Sequence, residues 1–374
     1  MSSQATGPTA NAAGVGEQVR SGYWKARYYR WRRPGPTRPG YSLLVPVPGD
    51  LPVFTELALA VCRLQDPTGR RETLVIPDLD SPEVDRAVAA AAPTWEGALR
   101  VQRLGPIERV VLPRLRDPGK NHGAQIIAGV TASTGTHVIL HDADLFPRSE
   151  RLHADLYGDA IDGELAAVGV DEAWDPWFAE HDLHLVATWE MCARVGWLRS
   201  FRPGSLFAHR AQVAGQLHLV DTTFFAQTRT DPARLCVRRS GGEVAHFNYV
   251  ISTYRRFQNH LAGAGGPFAD SNLRLLLVRM FIDLFDTTTT RYVVPPLQTL
   301  QDGLGDRGAP VRYTSVNPGV YRAFRDKVDA ILQGGWIAPD RRHRAVGYLD
   351  VFDRHFGRDT DGRDPSFTAA ATGR

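Results

Sequence analysis

The chain predicts an α/β fold with a mostly parallel sheet, and three observations carry that expectation. Short apolar runs alternate with helical periodicities from Ser42 onward. Strands that alternate with helices pair in parallel, because each helix returns the chain to the same end of the sheet. Aspartates follow directly on two of the runs, where open α/β sheets bind their ligands.

Taken in order, Ser42 to Val47 is a strand ending in Pro46-Val47-Pro48, and Leu57, Val61 and Leu64 then recur at helical spacing. Thr73 to Pro77 is a second strand, followed by Asp78 and Asp80. Ser81 suits an N-cap there and Pro82 a first helical residue. Ile126, Ile127 and Val130 mark a helix, with Gly135 where a C′ glycine belongs. That helix feeds the apolar strand His137 to Leu140, which delivers Asp142 and Asp144 with Ala143 between them. Two carboxylates at the end of a buried strand are costly unless a cation meets them, and a divalent ion carrying phosphate oxygens is the natural candidate. An Asp before a helix also serves as a plain N-cap.

The order Lys120-Asn121-x-Gly123, helix, Ala132-x-x-Gly135, apolar strand, Asp142-x-Asp144 resembles the core signature of family 2-like glycosyltransferases of the GT-A fold. The resemblance is strong over residues 119 to 147 and diffuse elsewhere. It implies a Rossmann-like sheet, a nucleotide-diphosphate sugar donor with a uridine diphosphate sugar expected, a hydroxyl acceptor, and Mn²⁺ or Mg²⁺. It further implies that Asp144 binds the metal, that Asp142 holds ribose or a metal-bound water, and that Lys120 and Asn121 belong to the donor site. Pro46, Asp78 and Asp80 occupy the places that hold the nucleoside, although the family's aspartate pair with a following glycine is missing. His246 stands where many members supply a third metal ligand, and a lone His is equally a packed core residue. Imidazole beside a carboxylate suits manganese. Asp221, after Leu217 to Val220, is the first choice for catalytic base or acceptor anchor, with Asp182 and Glu190 as alternatives.

Other segments are expected as follows. Leu165 to Val170 is a strand, and the loop Asp171 to Asp182, with Trp174, Trp177, Phe178 and His181, suits either a sugar platform or ordinary packing. Trp189 to Trp197 reads as a helix. Arg255 and Arg256 neutralise a diphosphate or face solvent. Phe268 to Asp286 is an amphipathic helix, and helical patterns recur at Tyr321 to Leu332 and Val346 to Phe356, with strand-like Tyr292 to Pro295 and a Gly-rich loop at Asp302 to Gly308 between them.

The division follows: residues 1–38 are a disordered tail and a basic-aromatic arm, 39–260 the GT-A catalytic domain, and 261–374 a helical extension serving the acceptor or a dimer contact. Met1 to Val19 has the composition of a disordered segment, and the end from Arg358 reads as frayed. The arm Tyr23 to Arg33 interleaves aromatics with cations and packs on the domain or binds an anionic surface.

Composition bounds the rest. With 374 residues and 43% apolar content the chain can bury a large core. No apolar run nears the roughly 18 residues of a membrane span, and no secretory signal pattern opens the sequence. A net charge of +3 does not point to nucleic acid. Three distant cysteines exclude a disulfide framework. Cytoplasmic residence is the expectation. Haloacid-dehalogenase-like phosphatases share a strand ending in Asp-x-Asp, but they need a small Thr or Val where this chain has Phe146. A GT-A-like protein that binds without turnover is the remaining alternative.

Overall fold

The computed structural model describes residues 22, 26–32, 35–115, 118–238, 243–247, 249–262, 269–270, 273–285, 312–313, 318–334 and 337–356. The expectations for Met1 to Val19, Tyr292 to Pro295, Asp302 to Gly308 and the end from Arg358 fall outside them.

The strands that build the main sheet and its surroundings are β1 (Arg38–Val47), β2 (Arg70–Pro77), β3 (Ala98–Val101), β4 (Gly135–His141), β5 (Leu145–Pro147), β6 (Ala167–Gly169), β7 (Glu190–Arg194), β8 (His209–Val213), β9 (Gln216–Val220), β10 (Leu235–Val237) and β11 (Val244–His246), and a short parallel pair, Ala269–Asp270 with Arg312–Tyr313, lies apart from them. Seven of them form the main sheet in the order β10-β6-β7-β4-β1-β2-β3. All neighbours pair in parallel except β7, which is antiparallel to β4 and β6. The chain runs outward from β1 to β2 and β3, then returns to place β4 on the other side of β1. That reversal opens a crevice at the carboxyl ends of β1 and β4, the usual ligand position in such sheets. Helices cover both faces. Leu43 and Val45 pack into one core with the helices Val53–Arg63 and Pro82–Ala91, while Leu44 packs into another with Pro118–Ala132. This is the mostly parallel, Rossmann-like α/β architecture expected.

Local chemistry agrees at the second helix. Ser81 caps it by accepting from the backbone N–H of Glu83 and Val84, and Pro82 begins it. Gly135 departs from expectation: it starts β4 instead of ending the preceding helix. A Cβ there would lie 2.8 Å from Gly40 O and Ser42 N of β1, so the residue is needed for close backbone approach. Gly123 has a similar reason, since a Cβ would come within 2.4 Å of the Phe207 ring.

Glu72 secures the turn into β4. Its buried carboxylate accepts from Thr134 N at 2.7 Å, Thr134 Oγ1 and Ser42 Oγ at 2.8 Å, and Arg100 Nη2 at 2.9 Å. Burial would raise its pKa, but these donors outweigh it and hold the group below its ordinary value of 4.5. A depressed carboxylate pKa contributes stability above the unfolded value, and that stability is lost as pH falls below it. The melting temperature of wild type should therefore exceed that of Glu72→Gln at neutral pH, with the gap narrowing below pH 4.5. A gap independent of pH would refute this account.

One further expectation is corrected, and three elements add to the sequence reading. Trp189 to Trp197 is not one helix: its first half is the buried strand β7, and only Val195–Ser200 is helical. The Leu217 to Val220 run is β9, paired with β8 in a separate hairpin outside the main sheet. The strand β3 and the helix Pro106–Leu115 were not anticipated.

The described part of the arm packs on the domain. Tyr28 is buried edge-on to Phe207, its hydroxyl donates to Glu108 at 3.0 Å, and Trp31 Nε1 donates to Phe201 O at 2.8 Å. The C-terminal helices Leu273–Phe285, Pro318–Gln333 and Pro339–Phe356 join the same core as β1 and the helix Val53–Arg63. The Phe146 ring of β5 stacks on Phe281 with centroids 4.1 Å apart.

Candidate functional site

The carboxyl ends of β1, β2 and β4 floor a cleft of about 1170 Å³. Pro46, Asp78, Asn121, Asp142, Asp144, His246 and Arg255 all line it. Three elements bring the polar groups together.

The first is the strand end itself. Asp142 donates its N–H to Trp189 O at 3.0 Å, and its own carbonyl accepts from Leu145 N at 3.1 Å. This tight turn, held by Trp189 just before β7, leads from β4 into β5 and sets Asp142 and Asp144 beside the cleft. The second is the antiparallel pair of β5 with β11, which aligns His246 with Leu145. Phe247 N donates to Asp144 O at 3.1 Å, and His246 Nε2 lies 3.5 Å from Asp144 Oδ1. One ligand-type atom from each of Asp142, Asp144 and His246 falls within 4.8 Å of the others. Burial alone would lower the His246 pKa, but the Asp144 carboxylate, with Asp142 beyond it, more than offsets this and raises it. The pair of carboxylates thus attracts positive charge. Two carboxylates and an imidazole at this separation fit a hard to borderline divalent cation such as Mn²⁺ or Mg²⁺.

The third element is the helix Pro118–Ala132. Asn121 Nδ2 donates to Asp78 Oδ2 at 3.2 Å, and the backbone N–H of Gly49 donates to Asp78 Oδ1 at 2.7 Å. Gln125 Nε2, one turn further on, donates to Val47 O at 3.0 Å, tying the helix to the end of β1. Burial raises the Asp78 pKa despite these donors. His122, which the sequence reading passed over as the variable residue of Asn-x-Gly, also faces the cleft, with Nε2 3.4 Å from Asp142 Oδ1. Burial would lower its pKa, but Asp142 first, then Asp221 and Asp144, outweigh it and raise the value. Arg255 reaches the cleft from the helix Val250–Leu261 and forms a bidentate pair with Asp50 at 2.7 and 2.9 Å. Arg256 instead donates to Thr253 Oγ1.

Asp221, just after β9, does not line the cleft itself and meets it at the edge through Trp174. Its Oδ2 accepts from Nε1 of the cleft residue Trp174 at 3.3 Å, and its Oδ1 accepts from Thr222 N at 2.7 Å.

Several expected site residues are placed elsewhere. Asp80 turns away from the cleft and pairs with Arg103 at 2.9 Å and Arg109 at 2.5 Å. Lys120 donates to Ala208 O at 2.7 Å and stands over the Phe207 ring. Neither lines the cleft. Asp182 is almost fully exposed beside His184. Glu190, the other alternative base, is sealed in the core with two imidazoles. Its Oε2 lies 2.7 Å from His141 Nδ1, and its Oε1 lies 2.9 Å from His153 Nε2. Burial works against its charge, but the two histidines hold its pKa down to about 2. His141 is raised well above its ordinary value, while burial lowers His153.

Among the described residues, no helix is long and apolar enough to cross a membrane. The chain matches no protein-family model, and no curated protein resembles it in sequence. Solved structures with some likeness include glucosyl-3-phosphoglycerate synthase from Mycobacterium tuberculosis in complex with Mn²⁺ and uridine-diphosphate-glucose: 16% identity, 70% of this chain, 83% of that one, TM-score 0.38. TarS 1-349 from S. aureus is 12% identical over 84% of this chain and 89% of that one, with TM-score 0.37. The mannosyltransferase PcManGT from Pyrobaculum calidifontis, in complex with GDP-Man and Mn²⁺, is 13% identical over 92% and 94%, with TM-score 0.36. Likeness this distant assigns no residue a role, and the site rests on its own geometry.

Proposed function

We propose that this chain is a metal-dependent glycosyltransferase that moves a sugar from a nucleoside diphosphate sugar, with a uridine diphosphate sugar the expected donor, to a hydroxyl acceptor. The observation that supports it is the convergence of Asp142, Asp144 and His246, within 4.8 Å of one another, in a large cleft at the sheet's switch point. Asp144 and His246 hold the cation, and Asp142 takes the ribose or completes the cation's shell. Mn²⁺ or Mg²⁺ bound there supplies electrostatic stabilisation of the leaving diphosphate. Asp78 and Asn121, beside Pro46, receive the nucleoside, and Arg255, paired with Asp50, stands in the same cleft.

In the transfer, the acceptor oxygen bonds to the anomeric carbon as the bond from that carbon to the diphosphate breaks. The diphosphate leaves with the electron pair, and Asp221 takes the acceptor's proton in an inverting reaction. A phosphatase reading has less support, because the position that such enzymes keep small is filled by Phe146, buried against Phe281.

Calorimetric titration with uridine diphosphate, with and without Mn²⁺, tests the reading: binding should require the metal. Metal-independent binding, or none for either uridine or guanosine diphosphate, would overturn it. Loss of a general base costs ~10² to 10⁴ in rate, so Asp221→Asn should slow transfer by that much and leave donor affinity unchanged. Turnover within about threefold of wild type would remove Asp221 from the role.

A further inference from the structure

Folding leaves one large aromatic of the loop between β6 and β7 uncovered. Trp177 is stacked between His181 at 4.0 Å and His218 at 3.8 Å, and Phe178 is buried. Trp174, in contrast, is 61% exposed while lining the cleft. Its position is nonetheless fixed. Ala173 N donates to Leu185 O at 2.8 Å just before it, Asp175 caps the following helix Pro176–Glu180, and its own Nε1 is engaged by Asp221. A rigid indole face held open to solvent at a cleft is the kind of surface that gains by being covered with a ligand.

The charge around it narrows the ligand. From Asp171 to Asp182 the loop carries Asp171, Glu172, Asp175, Glu180 and Asp182 and no Lys or Arg, and Asp221 adds a further carboxylate at the indole edge. A field of one sign repels ligands of that sign. The carbon-bound hydrogens of a pyranose ring stack on an indole, and its hydroxyls donate to carboxylates.

We propose that Trp174 and Asp221 form the acceptor subsite and take the ring of an uncharged or amino-bearing pyranoside, while excluding acceptors that carry carboxylate or phosphate. The assignment rests on the glycosyl-transfer reading above, in which Asp221 receives the acceptor's proton. The ring lies against Trp174 with one hydroxyl on Asp221, the hydroxyl whose O–H bond breaks as the new glycosidic bond forms.

Saturation-transfer NMR on the full chain tests this without turnover, with and without uridine diphosphate and Mn²⁺. The probes are methyl pyranosides of gluco, galacto and manno configuration, methyl glucosaminide and methyl glucuronide. At least one uncharged or amino pyranoside should receive saturation at its ring C–H protons, and the glucuronide none. Trp174→Ala should weaken that binding by about tenfold, whereas Trp174→Phe, which keeps a ring, should retain most of it. The position tolerates both changes because the side chain is exposed, and uridine diphosphate affinity should be the same in all three proteins. Preferred binding of the glucuronide, equal binding by Trp174→Ala, or no pyranoside signal at all would overturn the proposal. Failure of the donor reading would appear separately, as absent nucleotide binding in the wild-type calorimetry.

Discussion

Asp144→Asn should abolish metal-dependent nucleotide binding while leaving the melting temperature unchanged or slightly higher. Altering residues that merely orient a metal ligand typically costs about 10- to 100-fold in affinity, so removing a ligand should cost at least about 100-fold. Stability should not suffer, because Asp142 and Asp144 place two carboxylates within 4.8 Å of each other and neutralising one relieves their repulsion. Calorimetry with uridine diphosphate and Mn²⁺, beside a thermal melt, reads both quantities. Unchanged affinity would remove Asp144 from the site. His246→Ala separates the two readings of that residue in the same assay. If His246 is a ligand, its loss should lower Mn²⁺ affinity with little change in melting, since Lys327 holds the segment through the His246 carbonyl at 2.8 Å and not through the ring. A packed core histidine should do the reverse.

Glu190→Gln should produce the largest loss of stability of any single change considered. Removing one partner from a buried charge pair leaves the other uncompensated and costs about 3–5 kcal/mol, against a total of roughly 5–15 kcal/mol for a folded domain. His141, fully buried 2.7 Å away, is that partner. The expected fall in melting temperature is on the order of 10 °C, taking roughly 2–4 °C per kcal/mol for larger domains. Replacing His141, His153 and Glu190 together by apolar residues of similar volume should recover most of the loss, since a packed hydrophobic cluster can equal a buried ion pair. A melting temperature for Glu190→Gln within 2 °C of wild type, on the order of the ~1 kcal/mol of an ordinary substitution, would show that the charge carries no such weight.

What was legible in the sequence was whatever short-range pattern fixes. The strand into Asp142 and Asp144 could be read because an apolar run ending in two carboxylates has few physical explanations, and Ser81-Pro82 because capping is local. β7 was misread because a strand buried on both faces has no polar alternation, so its apolar residues match helical spacing by chance. Glu190 reads as a surface acid until β4 and the helix Leu152–Asp162 bring His141 and His153 to it. The helix Pro106–Leu115 was hidden by its own composition: Pro113 is a helix breaker by rule, Val110 is exposed, and Glu108 is buried only because Arg27 and Tyr28 meet it from a distant segment. Asp80 and Asp78 are equivalent in sequence. Only the positions of Arg103 and Arg109 decide that Asp80 is taken up outside the cleft.

The seating of β11 bears on how this chain can be cut. His246 reaches Asp144 through a two-stranded ribbon whose far side is covered by Phe281 and Phe324 against Phe247, and by Lys327 on the His246 carbonyl. A boundary at residue 261, the division read from the helical patterns of the sequence, would therefore strip the backing from the segment that carries His246. A fragment ending there would keep both aspartates yet expose Phe146 and Phe247, and it should aggregate or hold its cation weakly. Anyone trimming the protein for crystallisation, or grafting its cleft onto another scaffold, would have to carry the helices Leu273–Phe285 and Pro318–Gln333 along as part of the working unit.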